Sequence, residues 1–144
     1  MTVKQLSVFI ENRQGRLGEV LHVLKENNVN ILSLSVADTA EYGLLRLIVD
    51  DAAHGRDVLL DAGFSSMLTD VIILKVEHTP GSLQSTLTLI ADGGINIEYM
   101  YGLSIEGSDA SIVMKTNQLE QAKKLFREKN VKTASEEEIS EITK

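Results

Sequence analysis

The sequence predicts an α+β fold made of two consecutive copies of one unit with the element order β-α-β-β-α-β. Three observations support this prediction. Short runs in which apolar and polar residues alternate are typical of strands, and longer runs with apolar residues at i, i+3, i+4 and i+7 are typical of helices. The whole pattern returns after 66 residues, from Gly15 to Gly81 and from Leu17 to Leu83. A repeat of this length indicates two small structural units.

The first copy is defined by these two periods. The predicted strands cover residues 4–10, 31–37, 42–49 and 64–68, and the predicted helices cover residues 17–26 and 52–62. In the second strand, Leu32, Leu34 and Val36 are expected to face the helices. Asp51 precedes the second helix, where the positive end of the helix dipole favours negative charge. Gly63 follows that helix, in the position where a glycine commonly ends one.

The second copy repeats the order. The predicted strands cover residues 70–76, 95–105, 110–116 and 131–134, and the predicted helices cover residues 83–91 and 117–129, with Asn117 as a cap. Ser135 indicates the start of a final helical turn that Ile139 and Ile142 would anchor. The break at Thr69-Asp70 predicts two domains, at residues 1–69 and 70–144. The βαββαβ order is ferredoxin-like, and so short a connection predicts two units packed side by side.

Composition excludes several classes of function. The 144 residues carry a formal net charge of −7, which opposes binding to nucleic acid or to an anionic membrane surface. No cysteine is present, so disulfides and thiolate chemistry are excluded. No apolar run reaches membrane-spanning length, and the N-terminus has no apolar leader segment. We therefore expect a cytoplasmic protein with no membrane partner.

No arrangement of residues predicts catalysis, a metal site or a cofactor. His22, His54 and His78 are each isolated, and none has metal-ligand spacing or a matched nucleophile. An enzyme on the ferredoxin-like scaffold stays open as an alternative, with Glu11 and His78 as its acid/base pair. The Gly15 to Gly18 stretch formally matches the Gly-x-x-Gly loop of KH domains, but the second copy lacks it and the chain is acidic.

The tight strand-to-helix turns suggest binding instead. A glycine that opens a helix leaves backbone N–H groups free at the positive end of the helix dipole, which favours a carboxylate or phosphate. At the head of the second strand of each copy, Asn30 or Asn96 offers both a donor and an acceptor. A zwitterion satisfies both elements at once. The alternative is that the glycines only shape turns and the asparagines only end loops.

This combination resembles the ACT domain, a small βαββαβ regulatory module that binds amino acids. The family's signature is Asp-x-Pro-Gly-x-Leu between a strand and a helix, followed by a Gly-Ile-Asn-Ile-like strand head. The second copy has His78-Thr79-Pro80-Gly81-Ser82-Leu83 and Gly94-Ile95-Asn96-Ile97. The first copy has Asn12-Arg13-Gln14-Gly15-Arg16-Leu17 and Asn28-Val29-Asn30-Ile31.

The resemblance covers the whole chain, with departures in the turns. Asn12 and His78 replace the acidic residue of the signature, and Gln14 replaces its proline. These departures predict that the two sites differ in affinity or in ligand. ACT units usually regulate an attached enzyme domain, and the chain has no room for one beside the two copies. The resemblance therefore implies a stand-alone, non-catalytic tandem ACT sensor of amino acids.

The resemblance also implies the binding residues. In the family, a ligand commonly lies where two units abut, between the turn of one and the strand head of the other. One site would combine Asn12, Arg13, Gln14, Gly15, Arg16 and Leu17 with Asn96 and Ile97, and the other would combine His78, Thr79, Pro80, Gly81, Ser82 and Leu83 with Asn30 and Ile31. The expected partners are a free amino acid, a second copy in a homodimer, and a metabolic enzyme or regulator. A purely structural interaction module with vacant sites is the remaining alternative.

Overall fold

The computed structural model describes residues 1–11, 13–38, 42–103 and 110–141. It divides into two compact units. The N-terminal unit comprises Lys4–Thr69 and residues 139–141, and the C-terminal unit comprises Asp70–Glu138 and Met1–Val3. In each unit the helices pack against an antiparallel sheet, as the sequence predicts.

Eleven elements follow one another in the described residues. They form two βαββαβ repeats that share β4, with a single bridge in place of the last strand, and a final short helix. The N-terminal unit is built from β1 (Thr2–Glu11), α1 (Arg16–Glu26), β2 (Ile31–Asp38), β3 (Tyr42–Val49), α2 (Ala52–Asp61) and the first half of β4 (Ser65–Val76). The C-terminal unit is built from the second half of β4, α3 (Ser82–Asp92), β5 (Tyr99–Leu103), β6 (Ala110–Lys115), α4 (Leu119–Glu128) and most of α5 (Glu136–Glu141). No helix among these is long and apolar enough to cross a membrane.

The sheet of the N-terminal unit has the strand order β2-β3-β1-β4. Leu6 of β1 lies opposite Leu47 of β3, and Leu34 of β2 lies opposite the same residue, so the three side chains share the face that meets the helices. This face holds the core, in which fully buried leucines of the sheet pack against Val20 and Leu24 of α1.

The sheet of the C-terminal unit has the strand order β4-β6-β5. A residue after α4 adds to it, because Thr133 bridges to Leu74 of β4 in antiparallel orientation. The core on the helix side includes Ile72, Met114 and Phe126, each at most 1% exposed. The two units therefore bury separate apolar cores of the same design.

Four sequence predictions require correction, and three of them concern strands. β4 runs without interruption from Ser65 to Val76, so the two strands predicted at residues 64–68 and 70–76 form one continuous strand. Thr69 is β-branched and suits a strand, and its hydroxyl lies 3.3 Å from that of Ser7 on β1. The predicted 131–134 strand is a single bridge at Thr133.

The third strand correction concerns β5. The predicted strand 95–105 is shortened to Tyr99–Leu103 within the described residues. The backbone of Asn96 cannot join the ladder because side chains of the following segment occupy both its N–H and its carbonyl. The fourth correction concerns α4, whose cap is Gln118 and not Asn117.

The exposure of β2 also differs from expectation. Leu34 and Val36 do lie on the helix-bearing face, since they are opposite Leu47 and Leu45. They are nevertheless 46% and 41% exposed. β2 is an edge strand of its unit. Because the helices mainly cover the central strands, the side chains of β2 stay partly exposed.

Ser135 precedes and caps the helix α5, as the sequence predicts. The backbone N–H of Glu138 donates to the Ser135 hydroxyl at 3.2 Å, and the Glu138 carboxylate accepts the Ser135 N–H at 3.4 Å, which is a capping box. Ile139 is buried as expected, and Ile142 lies outside the described residues.

The capping box predicts a pH dependence. The Lys75 ammonium donates to the Glu138 carboxylate and is the main reason that the pKa of Glu138 lies below its ordinary value, while partial burial opposes the shift. Because the folded pKa is lowered, the stabilising contribution is present above the ordinary carboxyl pKa and is lost as the pH falls through the lower folded pKa. We expect carbon-detected NMR titration to show the lowered Glu138 pKa in the native protein and its return toward normal in Lys75→Met. An unchanged pKa in that variant would contradict the assignment.

Candidate functional site

The two glycine turns have the same backbone geometry. Gly15 caps α1 with φ 88° and ψ −11°, and Gly81 caps α3 with φ 85° and ψ −8°. This left-handed conformation strains a residue that has a Cβ atom, so glycine is favoured at both positions. A Cβ atom placed on either glycine would meet no protein atom within 4 Å. Both turns therefore border open space.

The same pattern of hydrogen bonds closes each turn. The N–H of Arg16 donates to the carbonyl of Arg13 at 3.3 Å, and the N–H of Ser82 donates to that of Thr79 at 3.2 Å. A glycine cap has no side chain, so the next N–H groups of each helix have no side-chain cap. These groups are the ones that the sequence predicts to receive an anion.

Side chains distinguish the N-terminal turn. The Arg16 guanidinium lies over the Phe64 ring, 4.3 Å from its centroid, and pairs with Glu19. Arg13 pairs with Glu11 at 3.2 Å, and Gln14 is exposed. Asn12 lies outside the described residues. The two arginines of this turn are thus each paired with a carboxylate.

The C-terminal turn borders a groove. The groove has a volume of about 380 Å³ and is lined by Val76, Glu77, His78, Thr79, Pro80, Leu83, Ala110 and Ile112. The hydroxyls of Thr79 and Ser82 are hydrogen-bonded to each other, and Ser85 donates to the Gly81 carbonyl at 3.0 Å. We call this feature the C-terminal groove. Four of the six residues predicted at this turn therefore line one groove, namely His78, Thr79, Pro80 and Leu83.

The head of β2 is held by the residue after β3. The N–H of Asn30 donates to the Asp50 carboxylate at 2.9 Å, and the N–H of Asp50 donates to the Asn30 carbonyl at 3.1 Å. The Asn30 side chain stays exposed. A second groove of about 540 Å³ is lined by Leu21, Lys25, Asn28, Val29, Asn30, Ile31 and Asp50.

The equivalent segment before β5 is held by a different set of side chains. The N–H of Asn96 donates to the Gln118 amide oxygen at 2.9 Å, and the Thr116 hydroxyl donates to the Asn96 carbonyl at 2.7 Å. Gln118 also donates to the Gly94 carbonyl at 2.9 Å. Sequence reasoning missed Asp50, Thr116 and Gln118. The available signal was an equal spacing, since Asp50 lies 20 residues after Asn30 and Thr116 lies 20 residues after Asn96.

A comparison with protein families identifies the chain. The family model described as an ACT domain pair matches residues 1–143. The chain belongs to this family. No curated protein matches the sequence at a significant level.

Solved structures agree on the fold of the ACT domain pair. A protein from Bacteroides thetaiotaomicron is similar over 98% of this chain and 97% of its own, with 33% identity and a TM-score of 0.91. The regulatory subunit of aspartate kinase from Thermus thermophilus, in its ligand-free form, is similar over 87% of this chain and 91% of its own, with 16% identity and a TM-score of 0.60. The corresponding subunit from Thermus flavus has 15% identity and a TM-score of 0.59, over 98% of this chain and 92% of its own.

The two predicted binding elements, the glycine turn and the strand-head asparagine, lie at opposite ends of a helix within one unit. Gly15 precedes α1, and Asn30 follows it. The helix has 11 residues, which corresponds to about 16 Å at 1.5 Å per residue. The same holds for Gly81 and Asn96 around α3, which also has 11 residues. A single small ligand cannot contact the turn and the strand head of the same unit.

The isoleucines of the strand heads and the leucines of the turns have unequal surroundings. Ile31 and Ile97 pack against the cores of their own units. Leu17 also packs against its core, whereas Leu83 is 37% exposed. Within the described ranges, no group of three or more His, Asp or Glu side chains is arranged to hold a metal ion.

The strand head before β5 gives a stability prediction for the ACT domain pair. Thr116 is fully buried, and its hydroxyl donates to Asn96 and accepts the Gln118 N–H. Thr116→Val leaves both groups without that partner, so we expect the free energy of unfolding to fall by about 1–3 kcal/mol in urea denaturation. Thr88→Val, on an exposed position of α3, is the control and should stay within about 0.5 kcal/mol of the parent. Equal effects would contradict the role given to Thr116.

Proposed function

We propose that this ACT domain pair is a non-catalytic, cytoplasmic regulatory protein that binds a free amino acid. Its two domains correspond to residues 1–69 and 70–144. The observation that carries the proposal is the repeated glycine turn, with left-handed Gly15 and Gly81 within a few degrees of each other and open space beside each. The same geometry at the starts of two equivalent helices, in turns of unlike local sequence, supports a role shared by both copies.

The ligand's carboxylate would bind the free N–H groups at the start of α1 or α3, where the helix dipole favours negative charge. Its ammonium would bind the side-chain oxygen of Asn30 or Asn96. The backbones of both asparagines are already fixed by hydrogen bonds, so little further ordering is needed for their exposed amides to bind.

The separation of turn and strand head by a whole helix supports a bridging ligand. A ligand that contacts both elements must join two ACT units, either the two in one chain or units of two chains in a homodimer. The proposed pairs are the N-terminal turn with Asn96 and Ile97, and the C-terminal turn with Asn30 and Ile31. Such a ligand would stabilise one arrangement of the units relative to another, and a metabolic enzyme or regulator would respond to that arrangement.

The similarity to regulatory subunits of aspartate kinase concerns the fold, and it is consistent with a regulatory role here. An enzyme on this scaffold would need an acid/base pair. The pair considered from the sequence, Glu11 and His78, occurs once, whereas the backbone geometry of the glycine turn recurs in both units. The sensor is therefore the better-supported function.

A thermal-shift screen of the twenty amino acids at millimolar concentration tests the proposal. A ligand that binds only the folded protein raises its stability by about 2.7 kcal/mol at a hundredfold excess over its dissociation constant. One responding amino acid, or one chemical class of them, is the expected result. If none of the twenty raises the melting temperature, the sensor proposal fails and the structural-module alternative gains.

A further inference from the structure

The C-terminal groove differs from the corresponding region of the N-terminal unit. Strand register identifies the equivalent positions. Ile10 lies opposite Gly43 in β1 and β3, and Val76 lies opposite Ala110 in β4 and β6. Gly43 therefore corresponds to Ala110.

The next pair along these strands extends the correspondence. Val8 lies opposite Leu45, and Leu74 lies opposite Ile112. Leu45 therefore corresponds to Ile112. The lining of the C-terminal groove can thus be compared with its counterpart residue by residue.

The equivalent positions are closed in the N-terminal unit and open in the C-terminal unit. Leu45 is fully buried and Gly43 is buried, whereas Ile112 and Ala110 are both half-buried. Leu83, the leucine after the C-terminal turn, is 37% exposed. The C-terminal unit thus leaves apolar surface uncovered where the N-terminal unit buries it.

Side-chain volume differs at two neighbouring positions. Arg16 covers the Phe64 ring beside the start of α1. Their counterparts are Ser82 and Val131, since Phe64 and Val131 each donate a backbone N–H to the last turn of the preceding helix. Ser82 and Val131 are smaller than Arg16 and Phe64, so the C-terminal unit has less side-chain volume at the positions equivalent to that contact.

We propose that the C-terminal groove is a specificity pocket for the side chain of an aliphatic amino acid such as leucine. This inference rests on the proposed function, because the ligand's carboxylate would bind the start of α3 as described above. The apolar lining, formed by Val76, Leu83, Ala110 and Ile112, begins beside that helix start. The groove's volume of about 380 Å³ is within the range of about 300–1,000 Å³ of small-molecule sites.

The polar residues that line the C-terminal groove also influence which amino acid it binds. Glu77 and His78 are exposed residues of the groove. The Glu77 carboxylate can accept a hydrogen bond from the ligand's ammonium, and it repels a ligand with an acidic side chain. The Pro80 ring adds apolar surface beside the turn. The apolar lining disfavours any charged side chain, and Glu77 adds repulsion against an acidic one.

Calorimetry on the full chain tests this selection with leucine, glycine, aspartate, lysine and 4-methylpentanoate, which is leucine without its amino group. We expect leucine to bind at least tenfold more tightly than glycine, aspartate or lysine. Leu83→Ser should weaken leucine binding about tenfold, and Leu60→Ser, at an exposed leucine of α2, should leave it within twofold.

Methyl NMR gives a second readout that does not depend on the variants. Leucine should shift the methyl signals of Val76, Leu83 and Ile112, and leave those of Ile10 and Leu45 in place. Shifts at Ile10 and Leu45 instead, or tightest binding of a charged amino acid, would overturn the inference while the proposed function stands. Binding of 4-methylpentanoate without binding of any amino acid would preserve the groove's apolar selectivity and end the sensor proposal. Absence of binding by both leucine and 4-methylpentanoate would overturn the inference.

Discussion

Replacing Phe126 with alanine is expected to lower the free energy of unfolding by about 3–5 kcal/mol. Phe126 is 1% exposed and is among the largest fully buried side chains of the protein. It lies on α4 and packs in the core of the C-terminal unit with Ile72 and Met114. Removing the ring loses its transfer free energy and leaves a cavity that a sheet and a helix cannot fully close.

Urea denaturation followed by circular dichroism measures this loss. Leu60→Ala is the control, because Leu60 is an apolar helix residue that is 48% exposed, and we expect its effect to stay within about 0.5 kcal/mol. A loss below about 1 kcal/mol for Phe126→Ala would mean that the C-terminal core is not packed as described.

Gly81→Ala is expected to weaken binding of the responding amino acid by tenfold or more. The added methyl would occupy the open space beside the turn, where no protein atom lies within 4 Å. The left-handed φ of 85° also makes alanine strained there, at a cost of about 1–2 kcal/mol of stability.

The strain and the loss of binding can be separated with Gly63→Ala. Gly63 has φ 89° and also borders open space, but it follows α2 and belongs to no predicted site. We expect the two variants to lose similar stability in thermal unfolding. Calorimetry should find that Gly63→Ala keeps the ligand affinity of the parent within twofold, whereas Gly81→Ala does not. Equal affinity losses in both variants would show that the effect is one of general strain.

Much of the fold follows from local sequence signals. The period-two and period-3.6 patterns predicted the bounds of β3 and α2 to within one residue. The glycines at positions 15, 63 and 81 all adopt the positive φ that their positions suggested. The repeat itself identified both copies, because each βαββαβ unit must bury the same faces. These signals act over a few residues, which is why one sequence suffices to detect them.

The errors lie where distant residues decide the structure. Nothing in Thr69-Asp70 alone shows that the strand continues, since that depends on neighbours such as Ser7. The exposure of Leu34 depends on which strands the helices cover. Gln118 fixes the head of β5 from 22 residues away along the chain, and no local pattern predicts that contact.

The candidate site was predictable in part. The glycine turns and strand-head asparagines were found because the same residue types recur in both copies at one offset. The C-terminal groove could not be predicted from the sequence, since it depends on the exposure of Ile112 on a strand about thirty residues later. Pairing between turns and strand heads remains a proposal that binding experiments must test.

Backbone and side-chain amide NMR on the isotope-labelled chain tests the central claim most directly. The responding amino acid should shift the backbone N–H signals of Leu83 and Gln84, at the start of α3, together with the side-chain amide of Asn30. Both sets should follow one binding curve, because one ligand would contact both elements. Movement of the helix-start signals with no change at either Asn30 or Asn96 would contradict a bridging ligand. A responding ligand that shifts none of these signals would place binding elsewhere and contradict the account as a whole.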